Sequence, residues 1–395
     1  MQLTPLFEIE RRIKELQSAM AKNGLDAALI IQRVDLYYFS GTGQDAHLFV
    51  PVEGVPVLLV RRTLDRAREE SPLESISEIK SFSDLKKMIE SAYPGRMRRL
   101  GMELDVLPVN NYNAYSELFP DAVIRDVSPL IREIRMIKSD YELDIIRKAG
   151  RMNDSMFAAV GEIIEEGMSE VEFGGLLEAH YRKNGHQGLV RIRSFNNDIF
   201  YGHLMSGSNV AVPSSHFGPT GGPGLSPSMP QGAGSKIIKR HEPISIDYVG
   251  VVDSYMVDQT RIFFLDDPPE KFLKTHAVAL AIQDALIEQG RPGTRAEELY
   301  DIAVQMAAEA GVTEGFMGYP HPVPFVGHGI GLELDELPVI GKNSPHVLQE
   351  GMVMALEPKF ILPGAGIAGI ENSFAVTENG LEKLTKFDDA IQILR

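Results

Sequence analysis

Four acids and one histidine occupy positions where simple strand geometry would gather them. Residues 244–265 read ISIDYVGVVDSYMVDQTRIFFL, two apolar runs around Asp253 and Ser254, which is the pattern of an antiparallel hairpin with a short turn. A turn at Asp253-Ser254 sets Asp258 opposite Val249, which shares a strand face with Asp247. A turn one residue earlier pairs Asp247 with Asp258 directly, so either register puts both carboxylates on one face. Facing carboxylates repel each other and lose hydration when buried, and a bound cation is the simplest relief. An acid that merely flanks a turn is the plainer alternative. Further on, MVMALEPKF and GIAGIENSFAV surround the turn LPGAG. With Gly364 at the centre, Glu357 and Glu371 face each other, each inside an apolar run where an unpartnered glutamate rarely sits. His328 lies in FVGHGIGL, where Gly327, Gly329 and Gly331 let other groups approach the imidazole closely.

The elements that must position these residues fall into two groups. Helical periodicity over residues 7–22 leads to strand-like DAALII and YYFSG, then VPVLLV, a helix near residues 83–93, LGMEL, a helix near 110–118, and AVIRDVS. This alternation predicts a small α/β domain over residues 1–127. Beyond it, Ser139 with Glu142 forms a capping-box pattern that opens a helix running to about residue 166. Ser169 with Glu172 opens a second. A helix over 274–289 followed by Thr294 with Glu297 repeats the arrangement, and strand-like sequence follows each pair, so the pattern predicts an internal duplication over residues 128–395. Between the halves, residues 216–236 are rich in Gly, Pro and Ser, which predicts an irregular loop. Gly234-Ser235-Lys236 lacks the spacing of a phosphate-binding loop, and there is no Gly-x-Ser-x-Gly elbow.

Composition narrows the function classes. The 395 residues are 44% hydrophobic and 24% charged, ordinary for a globular protein. A formal net charge of -16 argues against nucleic acid or an anionic membrane as partner. There is no cysteine, which excludes disulfides, thiolate metal sites and cysteine nucleophiles. The N-terminus is an amphipathic helix candidate rather than a signal peptide, and no apolar run approaches a membrane span. A cytoplasmic location is the resulting expectation.

The motifs IDYVGVVDSYMVDQTR, GHGIGLE, EGMVMALEP and GIEN, with DAALII…YYFSG and IREIRMIKSDYELDIIRKAG ahead of them, resemble the creatinase/prolidase-like superfamily of metallopeptidases with the pita-bread fold. The resemblance covers nearly the whole chain. It implies an N-terminal creatinase/prolidase-type α/β domain followed by a duplicated α+β pita-bread catalytic domain, and commonly a homodimer. It places Asp247, Asp258, His328, Glu357 and Glu371 on the five metal-ligand positions, with Asp247 on one ion, Asp258 and Glu371 bridging, and His328 with Glu357 on the second. Two divalent ions of that kind share a water, lower its pKa and polarise an amide carbonyl, while Glu357 moves the proton to the leaving nitrogen. Mostly oxygen ligands with one nitrogen favour manganese, with cobalt, iron or zinc as alternatives.

Several positions depart from the family pattern. Asp335 stands where relatives carry a second histidine, Gly369 where they carry an arginine, and Asn372 and Pro324 replace an aspartate and a histidine. A further histidine has no counterpart at its usual spacing, and His216 is the candidate substitute as a catalytic residue. Arg191 and Arg193 offer replacement charge for substrate, His203 offers hydrogen bonds, and the 216–236 insertion a lid. The expected function is a metal-dependent Xaa-Pro aminopeptidase or dipeptidase acting on a peptide or small amide. The alternatives are a creatinase-type C-N hydrolase without peptidase activity and a binding protein on the same fold.

Overall fold

In the computed structural model, which describes residues 3–214 and 218–395, helix α1 (Leu6–Lys22) buries Ile9, Ile13, Leu16 and Met20, one helical face at three- and four-residue spacing. After it come β1 (Ala27–Ile30), α2 (Arg33–Ser40), β2 (Ala46–Pro51), β3 (Val57–Val60), α3 (Leu64–Glu70), β4 (Ile76–Glu78), α4 (Phe82–Ala92), β5 (Arg99–Met102), α5 (Val109–Leu118), β6 (Val123–Asp126) and α6 (Ser128–Met136). The six strands form one mixed sheet in the order β4-β3-β2-β1-β5-β6. The run YYFSG corrects the strand expectation, since it is the end of α2. The Gln32 side chain accepts the Val34 and Asp35 N–H groups at 2.7 and 2.8 Å, and Gly41 closes the helix at φ 78°. A short apolar run has no period that separates strand from helix, so the caps decide.

The chain divides into two compact units after Arg135, which puts α6 with the first. The second unit contains α7 (Asp140–Ile163), α8 (Glu170–Lys183), β7 (Gly202–Ser206), β8 (Ile244–Val252), β9 (Tyr255–Leu265), α9 (Glu270–Gln289), α10 (Ala296–Glu309), β10 (Phe325–Gly329), β11 (Glu336–Gly341), β12 (Val353–Leu356), β13 (Lys359–Leu362), β14 (Gly366–Gly369), β15 (Asn372–Thr377), β16 (Gly380–Lys383) and β17 (Gln392–Leu394). Both predicted capping boxes, Ser139 with Glu142 and Ser169 with Glu172, are formed. Thr294 does not cap α10. Its hydroxyl donates to the Gln289 carbonyl at 2.7 Å, and Glu297 accepts the Asn343 N–H instead.

Each helix pair covers its own sheet. Helices α7 and α8 pack on β17-β9-β8-β7 through Phe157, Phe173, Ile246 and Phe263. Helices α9 and α10 pack on β11-β10-β12-β15-β16 through Ile282, Leu299, Val326 and Phe374. The two sheets meet where Thr260 of β9 pairs with Glu371, just ahead of β15. The seam is tied by Ser373, whose hydroxyl accepts the Asp258 N–H at 2.8 Å and donates to the Asp258 carbonyl at 2.9 Å. Arg261, fully buried, donates to the carbonyls of Thr260 and Glu371 at 2.8 and 2.9 Å and to Asn372 Oδ1 at 2.8 Å. No helix among the described residues is long and apolar enough to cross a membrane.

Candidate metal centre

The turn at Asp253 and Ser254 has φ 46° and 70°, so the hairpin closes there with Val252 opposite Tyr255 and Val249 opposite Asp258. This is the first of the two registers. It brings Asp247 of β8 and Asp258 of β9 into one pocket, which also contains His328 from β10, Glu357 from the β12–β13 junction and Glu371 from the β14–β15 junction. The β13–β14 ladder pairs Lys359 with Gly369 and Leu362 with Gly366, the register that sets Glu357 opposite Glu371.

His328 Nε2 points at three carboxylates: Asp258 Oδ2 and Glu357 Oε1 at 3.9 Å and Glu371 Oε1 at 3.8 Å. Its Nδ1 lies 3.1 Å from the carbonyls of both Gly329 and Leu334. Those acceptors place the ring proton on Nδ1 and leave Nε2 as a lone pair facing the acids. Asp335 Oδ1 is 3.5 Å from Nδ1, with its side chain 48% exposed. Asp335, Glu357 and Glu371 hold the imidazole pKa above its ordinary value in spite of burial.

Lys359 joins this set, although no metal-ligand spacing points to it. Its Nζ donates to Asp247 Oδ2 and Glu357 Oε2 at 2.9 Å each and to Glu371 Oε2 at 2.7 Å, with only 1% of the side chain exposed. A signal for it does exist in the sequence. Lys359 follows Glu357 by two residues, hence on the same strand face, and sits across from Gly369. Thr260 Oγ1 also donates to Glu371 Oε2, at 2.7 Å.

The electrostatics record a shortage of positive charge. Burial, then Glu371 and Asp247, push the Asp258 carboxyl well above its usual range, against the pull of Lys359. Burial pushes Glu371 up to about 8, partly offset by the Lys359 ammonium. Burial would raise Asp247 as well, but the same ammonium outweighs it and holds Asp247 low. Lys359, surrounded by anions, is held well above its ordinary value despite its burial.

The residues fit a divalent ion on the His328 side. Donor atoms of Asp258, His328 and Glu371 all lie within 4.8 Å of one another, and Glu371 Oε1 is buried with no hydrogen-bond partner. Two ligand atoms on one ion stand at most about 4.2 Å apart, twice a metal–ligand bond of about 2.1 Å. The spacings to His328 Nε2 satisfy that limit.

The other sequence candidates are distributed differently. His203 of β7 lies opposite Asp247 and lines the pocket with Nδ1 3.4 Å from Thr220 Oγ1. Asp335 also lines it. The Arg193 side chain is buried and paired with Glu333 at 3.8 Å, and the Arg191 carbonyl accepts the Leu334 N–H at 2.8 Å. Neither arginine lines the pocket. His216 lies outside the described residues. The insertion contributes Gly218, Pro219 and Thr220 to the pocket wall. Its far end is anchored on α8, where Glu170 Oε2 accepts the Gly234 N–H at 2.9 Å.

Comparison with known proteins places these features in context. The model of metallopeptidase family M24 matches residues 144–378, and that of the Creatinase/Prolidase N-terminal domain matches residues 12–137. An Xaa-Pro dipeptidase from Pyrococcus furiosus is 30% identical over 383 residues, covering 96% of this chain and 98% of that protein. Among solved structures, the prolidase from Pyrococcus horikoshii OT3 has a TM-score of 0.80 at 28% identity, covering 96% of this chain and 99% of its own. The Xaa-Pro dipeptidase from Bacillus anthracis has a TM-score of 0.84 at 25% identity, covering 98% and 100%.

Proposed function

Because the chain belongs to metallopeptidase family M24, we propose that its carboxylate and imidazole centre holds a divalent cation, manganese by preference, and hydrolyses peptides with proline after the scissile bond. The observation that carries this reading is the convergence of Asp258, His328 and Glu371 on one point. An ion there supplies Lewis acidity and a water of lowered pKa. Glu357 then has the general-base role. Its Oε1 faces His328 while Oε2 is held by Lys359, so the free oxygen takes a proton from the attacking water and returns it to the departing proline nitrogen. His328 keeps its proton on Nδ1 throughout, tied to backbone carbonyls.

Charge around the pocket selects among such substrates. Among the described residues lining it, Lys359 is the only lysine or arginine, and three carboxylates already use its donors. Away from the ion, a free substrate carboxylate would find Asp335 and no unengaged lysine or arginine among the described lining residues, and a desolvated anion without partners costs roughly several kcal/mol. The expected substrates therefore extend beyond the proline or carry no terminal charge. The same feature favours a second reading, hydrolysis of a C-N bond in an uncharged non-peptide amide.

The test compares an Xaa-Pro dipeptide, its C-terminal amide and an Xaa-Pro-Xaa tripeptide on manganese-loaded protein. The amide and tripeptide should show the higher kcat/KM, and Glu357→Gln should lower kcat by about 10²-fold or more. Hydrolysis of none of the three would sink the peptidase reading, and a preference for the free dipeptide would sink the charge argument.

A further inference from the structure

The arrangement of donors around Lys359 bears on how many ions the centre takes, a question that rests on the metal reading above. We propose that the Lys359 ammonium stands in the place of a second metal ion, so that the centre binds one divalent cation per chain.

An ammonium has three N–H donors and no acceptor. Here each donor goes to a different carboxylate, Asp247 and Glu357 at 2.9 Å and Glu371 at 2.7 Å, lengths typical of charge-assisted hydrogen bonds. By resemblance one ion is expected among Asp247, Asp258 and Glu371, and two of those three hold the ammonium instead. A cation bonded to the same oxygens would have to lie among them, where Nζ already sits. Glu357 and Glu371 each divide their oxygens the same way: Oε2 to the ammonium, Oε1 towards His328 Nε2 at 3.9 and 3.8 Å. The lysine side is complete. The His328 side is not, because Glu371 Oε1 remains buried without a partner.

The backbone holds Lys359 at this point. It opens β13 opposite Gly369, its carbonyl accepts the Met317 N–H at 2.8 Å, and a Cβ on residue 369 would come within 2.8 Å of its Cα. Glycine at 369 is thus what lets the lysine strand approach. Charge balance agrees. Four carboxylates, those of Asp258, Glu357 and Glu371 buried and that of Asp247 partly so, face one ammonium and leave a negative site. One divalent ion meets most of that deficit.

The experiment strips the full-length protein with chelator, saturates it with Mn²⁺ alone, removes excess metal and combines elemental analysis with low-temperature electron paramagnetic resonance. One manganese per chain and an isolated-ion spectrum are expected. Lys359→Ala, checked for folding by circular dichroism, should rise to two ions with an exchange-coupled spectrum. Two ions in the wild-type protein would overturn the proposal, as would a folded Lys359→Ala protein that still takes one; if that variant does not fold, the wild-type count decides alone. No ion at all would overturn the metal reading itself.

Discussion

Thr260 reaches the candidate metal centre through Glu371, donating at 2.7 Å to the oxygen that Lys359 also holds. With both donors on Oε2, the carboxylate is turned so that Oε1 faces His328. Groups that orient a metal ligand commonly contribute about 10- to 100-fold to metal affinity. Thr260→Val keeps the side-chain volume and removes only the donor. The expected result is Mn²⁺ binding weakened by roughly 10-fold, read by calorimetric titration, with an unchanged fold by circular dichroism. Unchanged affinity would mean that Lys359 alone orients Glu371.

At the scale of elements, the seam between β9 and β15 makes the site one body, and Arg261 is its main fastener. Its guanidinium reaches carbonyls of Thr260 and Glu371 and the side chains of Asn372 and Asp389. Arg261→Met should cost on the order of 3 kcal/mol, since buried acceptors lose charged donors together, and urea denaturation would measure the loss. A change below about 1 kcal/mol would show that water replaces the guanidinium. Much of this level was readable from spacing: Asp253-Ser254 narrowed the first hairpin to two registers that put both acids on one face, Gly364 gave the facing glutamates, and Ser139 and Ser169 their helix caps. What spacing does not carry is any contact made across elements. Nothing local to EPKF shows that Lys359 will meet Asp247, 112 residues away, because that depends on the seam. YYFSG shows the complementary limit. Its composition suits a strand, and a side-chain cap from Gln32 outside the run overrides it. Arg193 looked like a free charge only because its partner, Glu333, is distant in sequence.

For the whole molecule, the division into two units separates two sources of stability. In the first unit, burial and then Asp35 push Glu103 up to about 8, against backbone N–H donors from Ile31 and Gln32. The usual value is 4.5, so the folded state favours the protonated acid. Its stabilising contribution is whole below pH 4.5 and is lost as pH rises through about 8, with a slope of up to about 1.4 kcal/mol per pH unit. In the second unit a bound ion stabilises only the native state, by about 2.7 kcal/mol at 100 times its Kd. The expectation is a pair of separable responses. Raising pH from 5.5 to 8.5 should weaken protection of the β1 to β5 sheet, and Glu103→Gln should flatten that dependence. Adding Mn²⁺ should protect β8 to β10 and β12 to β15 of the second unit. Hydrogen exchange pulsed at one fixed labelling pH, after equilibration in urea at each test pH, reads both units in the same sample. A pH effect that Glu103→Gln leaves intact would remove Glu103 as its source, and equal protection of both units by Mn²⁺ would show that they unfold as one.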